Sequence, residues 1–267
     1  METKFFFPFL AYLSCGVFLG GLIYRFWVWL KTPVPLRIVL TPAPQTRAGV
    51  VKRLTGDIFL FPQLLQADRL LWVLGWSFHL LLLLVMLRHL RYFFYPVPVW
   101  IEAMQTPGLY AGYFLPVPLA GLLARRLITE RGLYLSIWGD YFALLLLLAI
   151  SLTGLLLSQY FYVYIVDVKA MILGIIFFQP INFQAPWLFT LHFLLVSALL
   201  IYFPFSKLMH GGGIFLSPTH NQRANFKQPY RNPWDFPVAY NPLNLFPPEK
   251  YQQVLGEMKA GEKKCTE

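Results

Sequence analysis

Charge is what this sequence has least of. Only 13% of its 267 residues are Asp, Glu, Lys or Arg, and 12 of those are acidic. A soluble domain carries roughly 25% charged residues, so a water-facing globular fold is excluded. Cysteine is scarce too. Cys15 sits in an apolar run and Cys265 in the terminal tail, without CxxC or CxxCH spacing. A c-type haem, or an iron–sulfur cluster held by this chain alone, is therefore not expected. Nor is there a phosphate-cradling glycine loop, a hydrolytic triad or a carboxylate cluster for metal. The net charge of +10 does not call for nucleic acid, because cytoplasmic loops of membrane proteins collect Lys and Arg.

Apolar sequence is abundant: 57% of residues are hydrophobic and 18% aromatic. It falls into five runs of membrane length. The expected spans are 5–30, 70–90, 108–124, 137–165 and 187–210. The third is the weakest, with Pro116 and Pro118 inside it. Gly16, Gly20 and Gly21 in the first would let a neighbouring helix approach closely. The run 171–178 is too short to cross and reads as an interfacial turn. Gly211-Gly212-Gly213 reads as the terminator of the fifth span.

Basic residues fix a topology. Lys31, Arg37, Arg47, Lys52, Arg53 and Arg69 follow the first span, and Arg125, Arg126 and Arg131 follow the third. Both loops are then cytoplasmic, with the N-terminus outside and the C-terminus inside. The expectation is an all-α, multi-pass protein of the cytoplasmic (inner) membrane, a five-helix bundle over 1–215. Residues 216–267 form an extended polar arm that binds a cytoplasmic partner.

Four of the five histidines lie in two of these spans, His79 and His89 in the second, His192 and His210 in the fifth. Ionisable side chains in hydrocarbon are costly and mark function, and imidazole is a common axial ligand of haem iron. At 1.5 Å per helical residue the two separations are about 15 Å and about 27 Å. Because the two spans run in opposite directions, His79 faces His210 toward the inside and His89 faces His192 toward the outside. Each pair has the composition of a bis-histidine haem site. The unequal separations require a bend, which Pro204 can supply. His220 lies in the polar tail and reads as an exposed histidine. Three alternatives stay open: a non-redox anchor or transporter whose histidines hydrogen-bond or carry protons, a single-haem protein with two structural histidines, and the same cytochrome with electrons flowing in the reverse direction.

The ten-residue and eighteen-residue histidine spacings, with FPFSKLMH at 203–210, resemble the cytochrome b (gamma) subunit of respiratory nitrate reductase. The wider family includes the membrane subunit of heterodisulfide reductase and the DsrM-type subunit of heterodisulfide-reductase-like menaquinol-oxidising complexes. The resemblance covers about residues 1–215. It implies two haems b, His79 with His210 inside and His89 with His192 outside. It also implies menaquinol oxidation near the outer haem and electron delivery to a cytoplasmic iron–sulfur subunit, alongside other membrane subunits. Nitrate reductase subunits carry a quinol-site lysine between the second and third spans. No lysine stands between His89 and Ala124 here, which favours a DsrM-type partner. Quinol-site candidates are Arg91 and Glu102, the latter expected in a loop as a proton acceptor. Arg88 and Arg91 also suit haem propionates. Lys207 does so at the inner pair, or else snorkels.

Overall fold

The computed structural model describes residues 3–33, 43–161, 163–217 and 220–224, and among them there is no strand. The helices, in order, are α1 (Thr3–Lys31), α2 (Arg47–Phe59), α3 (Pro62–Ala67), α4 (Arg69–His89), α5 (Val99–Ala103), α6 (Gln105–Phe114), α7 (Pro116–Ile128), α8 (Glu130–Leu135), α9 (Trp138–Gln159), α10 (Ile165–Ile176), α11 (Trp187–Tyr202) and α12 (His210–Leu216). Five stretches are long and apolar enough to cross a membrane: Lys4–Lys31, Arg69–Tyr92, Val99–Ile128, Trp138–Gln159 and Trp187–Phe205. Most of the expected partner-binding arm, 225–267, lies outside the described residues, as does the proline-containing stretch 34–42.

Local chemistry sets the boundaries. Asp68 takes an extended conformation and its Oδ1 accepts from the Leu71 N–H at 2.9 Å, which caps α4 at its N-terminus. Thr46 caps α2 in the same way, accepting from Gly49 N–H at 3.0 Å. The third span begins earlier than expected, at Val99, and is delivered in pieces. Pro107 lies in the first turn of α6 and Pro116 opens α7. Proline is tolerated there because the first-turn N–H groups have no helical acceptor anyway. Glu102 consequently sits on α5 and not in a loop. The fourth span ends at Gln159, short of Ile165. The short run 171–178 belongs largely to α10, whose Val168, Met171 and Ile175 pack on Phe7 of α1 and on Phe183.

The fifth span departs most from expectation. α11 stops at Tyr202, a 3-10 turn covers Phe203–Phe205, and Ser206 is extended (φ −114°, ψ 174°). Pro204 does mark a bend, but the glycines do not end a helix. They lie inside α12, which His210 opens.

The bundle's interior is small: Leu115, Leu119 and Leu147 are buried together, flanked by Phe78, Leu82, Leu199 and Leu208. Glycine brings helices close at chosen points. A Cβ on Gly108 would lie 2.5 Å from Arg88 Cβ and 2.8 Å from the Leu84 carbonyl oxygen, so α6 presses directly on α4. Of the three α1 glycines only Gly21 is used this way, against Pro204; Gly16 and Gly20 face open space. Replacing Gly108 with Val is expected to wedge α6 off α4 at a cost of about 1–3 kcal/mol, read as a lower unfolding temperature in detergent, whereas Gly16→Val leaves it unchanged.

Candidate functional site

Four histidines, three on the spans and His210 beyond the fifth at the start of α12, commit the same ring nitrogen. His79 Nδ1 donates to the Gly75 carbonyl at 2.6 Å and His89 Nδ1 to the Val85 carbonyl at 2.7 Å, each one turn back along α4. His210 Nδ1 donates to the Lys207 carbonyl at 2.9 Å. A carbonyl can only accept, so the proton sits on Nδ1 and the Nε2 lone pair is left free. His192 reaches the same state differently. Its Nδ1 lies 2.9 Å from Thr153 Oγ1 on α9, and that hydroxyl spends its own hydrogen on the Ala149 carbonyl at 2.8 Å. Thr153 therefore accepts from Nδ1–H. An oriented imidazole with its second nitrogen bare is the form that ligates a metal.

The rings are paired in reverse order. His79 and His210 have centroids 6.0 Å apart with planes at 90°. A metal–imidazole bond is about 2 Å and each ring centre lies about 1 Å further back, so two imidazoles on one iron have centroids about 6 Å apart. The pair fits that requirement as it stands. Both rings open onto a cavity of about 330 Å³, lined also by Asp57, Phe61, Gln63, Leu64, Gly75, Ile214 and His220. His89 and His192 are half-buried and lie within electrostatic reach of each other. A Cβ on Gly154 would sit 3.2 Å from His192 Cε1, so glycine there leaves the ring its place.

Other candidates meet different fates. Arg88 and Arg91 both turn to Gln105, Arg88 Nη1 donating to its carbonyl at 3.1 Å and Arg91 Nη1 to its Oε1 at 2.8 Å. Glu102 is exposed on α5. Lys207 commits its head group to a carboxylate. Its Nζ pairs with buried Asp140 at 2.9 Å, and Arg126 adds a second cation to that carboxylate at 3.4 Å. These groups line a second cavity of about 440 Å³ with Asp68, Arg125 and Arg131.

His220 departs from expectation: its side chain is 26% exposed and stands 3.5 Å from Asp57 Oδ2, inside the His79/His210 cavity. Thr153, Gly154, Asp57 and Gln105 were not singled out from the sequence. A Thr–Gly step interrupting the leucine run of α9 was the available signal for the first two. Nothing local marks the others.

The model of the family described as nitrate reductase gamma subunit matches residues 62–226, more than half the chain and all four paired histidines. The chain belongs to the nitrate reductase gamma subunit family. Within reach of this gamma-subunit family are two curated archaeal relatives, each named an Hdr-like menaquinol oxidoreductase cytochrome b-like subunit. That of Archaeoglobus fulgidus is 34% identical over 271 aligned residues, covering 84% of this chain and 81% of the relative. That of Archaeoglobus profundus is 30% identical over 281, covering 88% and 84%.

At the edge of the second cavity, outside the spans, the Leu71 N–H and the Arg125 guanidinium hold the Asp68 carboxyl below the usual carboxylate range. A lowered value means the ionised form is favoured by folding. Its stabilisation is complete above the ordinary Asp value of about 4 and disappears as pH falls through the lowered one. Asn at this position keeps the helix cap but not the charge. The difference in unfolding temperature between the protein and Asp68→Asn is therefore expected at pH 7 and should close in acid below about pH 4.

Proposed function

We propose that this gamma-family chain is the dihaem b membrane subunit of a respiratory complex that oxidises menaquinol near the outer face and delivers electrons to a cytoplasmic, heterodisulfide-reductase-like iron–sulfur subunit. One haem is held by His79 and His210, the other by His89 and His192. The observation that carries this reading is the reversed pairing of four histidines whose Nδ1 atoms are all spent and whose Nε2 atoms are all free. Bound haem supplies a one-electron couple at each pair, with a potential set by axial ligands, burial and nearby charge. The menaquinol and partner elements draw support from the names of the two archaeal relatives.

The chain's own residues have definable tasks. The i−4 carbonyls of Gly75 and Val85, the Lys207 carbonyl and the Thr153 hydroxyl fix ring orientation and raise ligand basicity. Menaquinol oxidation to menaquinone releases two electrons and two protons. Exposed Glu102, six residues before the Gly108 that packs on Arg88, is the proposed acceptor for one proton. Arg91, anchored by Gln105, borders the same end of α4. The N-terminus lies outside, since positive charge gathers after the first and third spans. Residues 1–215 form the membrane domain, and 216–267 form the arm that meets the iron–sulfur subunit.

Purified protein is expected to contain two haems b per chain by pyridine haemochromogen assay. His79→Ala or His210→Ala should each remove one, and the double variant His89→Ala/His192→Ala should remove the other. Unchanged haem content in that double variant, or no b-type absorption in the parent, would overturn the assignment.

A further inference from the structure

The cavity shared by His79 and His210 is not closed by the spans. Two segments outside them complete it. α2 supplies Asp57, and the segment after α12 supplies His220. The two segments are joined: Ala224 N–H donates to the Pro44 carbonyl at 2.8 Å, while Asn221 Nδ2 ties back to the Phe215 carbonyl at 3.0 Å. Between α2 and α3, Phe61 takes a left-handed conformation (φ 47°) and brings its ring to 5.2 Å from His79. A bulky residue in that region is strained, and such strain concentrates at functional sites.

Asp57 Oδ2 and His220 Nδ1 are both buried, and neither makes a hydrogen bond. They stand 3.5 Å apart, with Arg53 Nε 3.8 Å from the same oxygen. Buried polar atoms left in this state are costly and rare. At the other histidine pair the nearby charges are Arg88 of α4 and Arg91 in the 3-10 turn that follows it, both already bonded to Gln105. Among the described residues, a carboxylate facing an imidazole is found at the His79/His210 cavity.

We infer that Asp57 and His220 are a tuning pair for the His79/His210 site, sealing its open edge and setting the redox potential of the haem bound there. The inference rests on the haem reading of those histidines. Two physical effects give opposite signs. The Asp57 carboxylate stabilises the more positive, oxidised centre, so it holds the potential down. His220 keeps water off the edge, and exclusion of water disfavours the more highly charged state, so it holds the potential up.

Redox titration of the purified full chain, following b-type absorbance, tests this. Asp57→Asn is expected to raise the midpoint of the transition that His210→Ala abolishes. His220→Ala is expected to lower it, and His220→Gln to lower it less. The second transition should stay fixed in all three, with two haems retained per chain. Should His220→Ala not assemble with haem, the Gln variant carries the test. Retention of both haems with neither midpoint moved, or equal movement of both, would overturn the tuning pair while leaving the haem assignment intact. Failure of the parent protein to show two haem transitions would instead remove the haem reading itself.

Discussion

An imidazole surrounded by hydrocarbon has to account for both ring nitrogens, and the rest of this structure follows from how that is done. One nitrogen is spent on an acceptor within the protein, either a carbonyl or a hydroxyl whose own proton is engaged elsewhere. The other is left bare, on half-buried rings at His89 and His192 and on exposed rings at His79 and His210. The reversed running of α4 and α11 sets the His79 ring 6.0 Å from that of His210, and glycine at position 154 leaves the His192 ring its place.

Around this, the polar groups are grouped rather than scattered. Asp140 is buried and answers to Lys207 and Arg126 together, while Asp68 links the start of α4 to the end of α7. Arg25, an arginine of α1 within an apolar run, donates to the Pro204 carbonyl at 3.0 Å. That carbonyl is exposed by the break in the fifth span, and the guanidinium supplies the bond the helix no longer offers. Arg25 and Asp140 thus each join one span to the segment that follows the break in the fifth.

The five spans and the approach of His79 to His210 were legible in the sequence, because both depend on simple regularities: the length of an apolar run and the position of rare ionisable residues along the chain. The family resemblance rested on the same spacing. What was not legible depends on tertiary approach. Pro116 and Pro118 looked like interruptions of the third span, whereas both occupy the first turn of α7, where they cost little. The three glycines after His210 looked like a stop signal, yet they continue a helix packed near Phe26 and Trp29 of α1. Thr153 lies 39 residues from the ring it orients, and His220 is far from Asp57 along the chain. No local pattern announces such partners.

The interruption between Tyr202 and His210 has an evolutionary consequence. A continuous helix would lock the two histidines of the fifth span into one rigid phase, so that any insertion between them would rotate one site relative to the other. With a 3-10 turn and an extended serine in between, the two ends are mechanically separate modules. The turn at 203–209 can change length or sequence and re-aim His210 alone, leaving the ring that leans on Thr153 undisturbed.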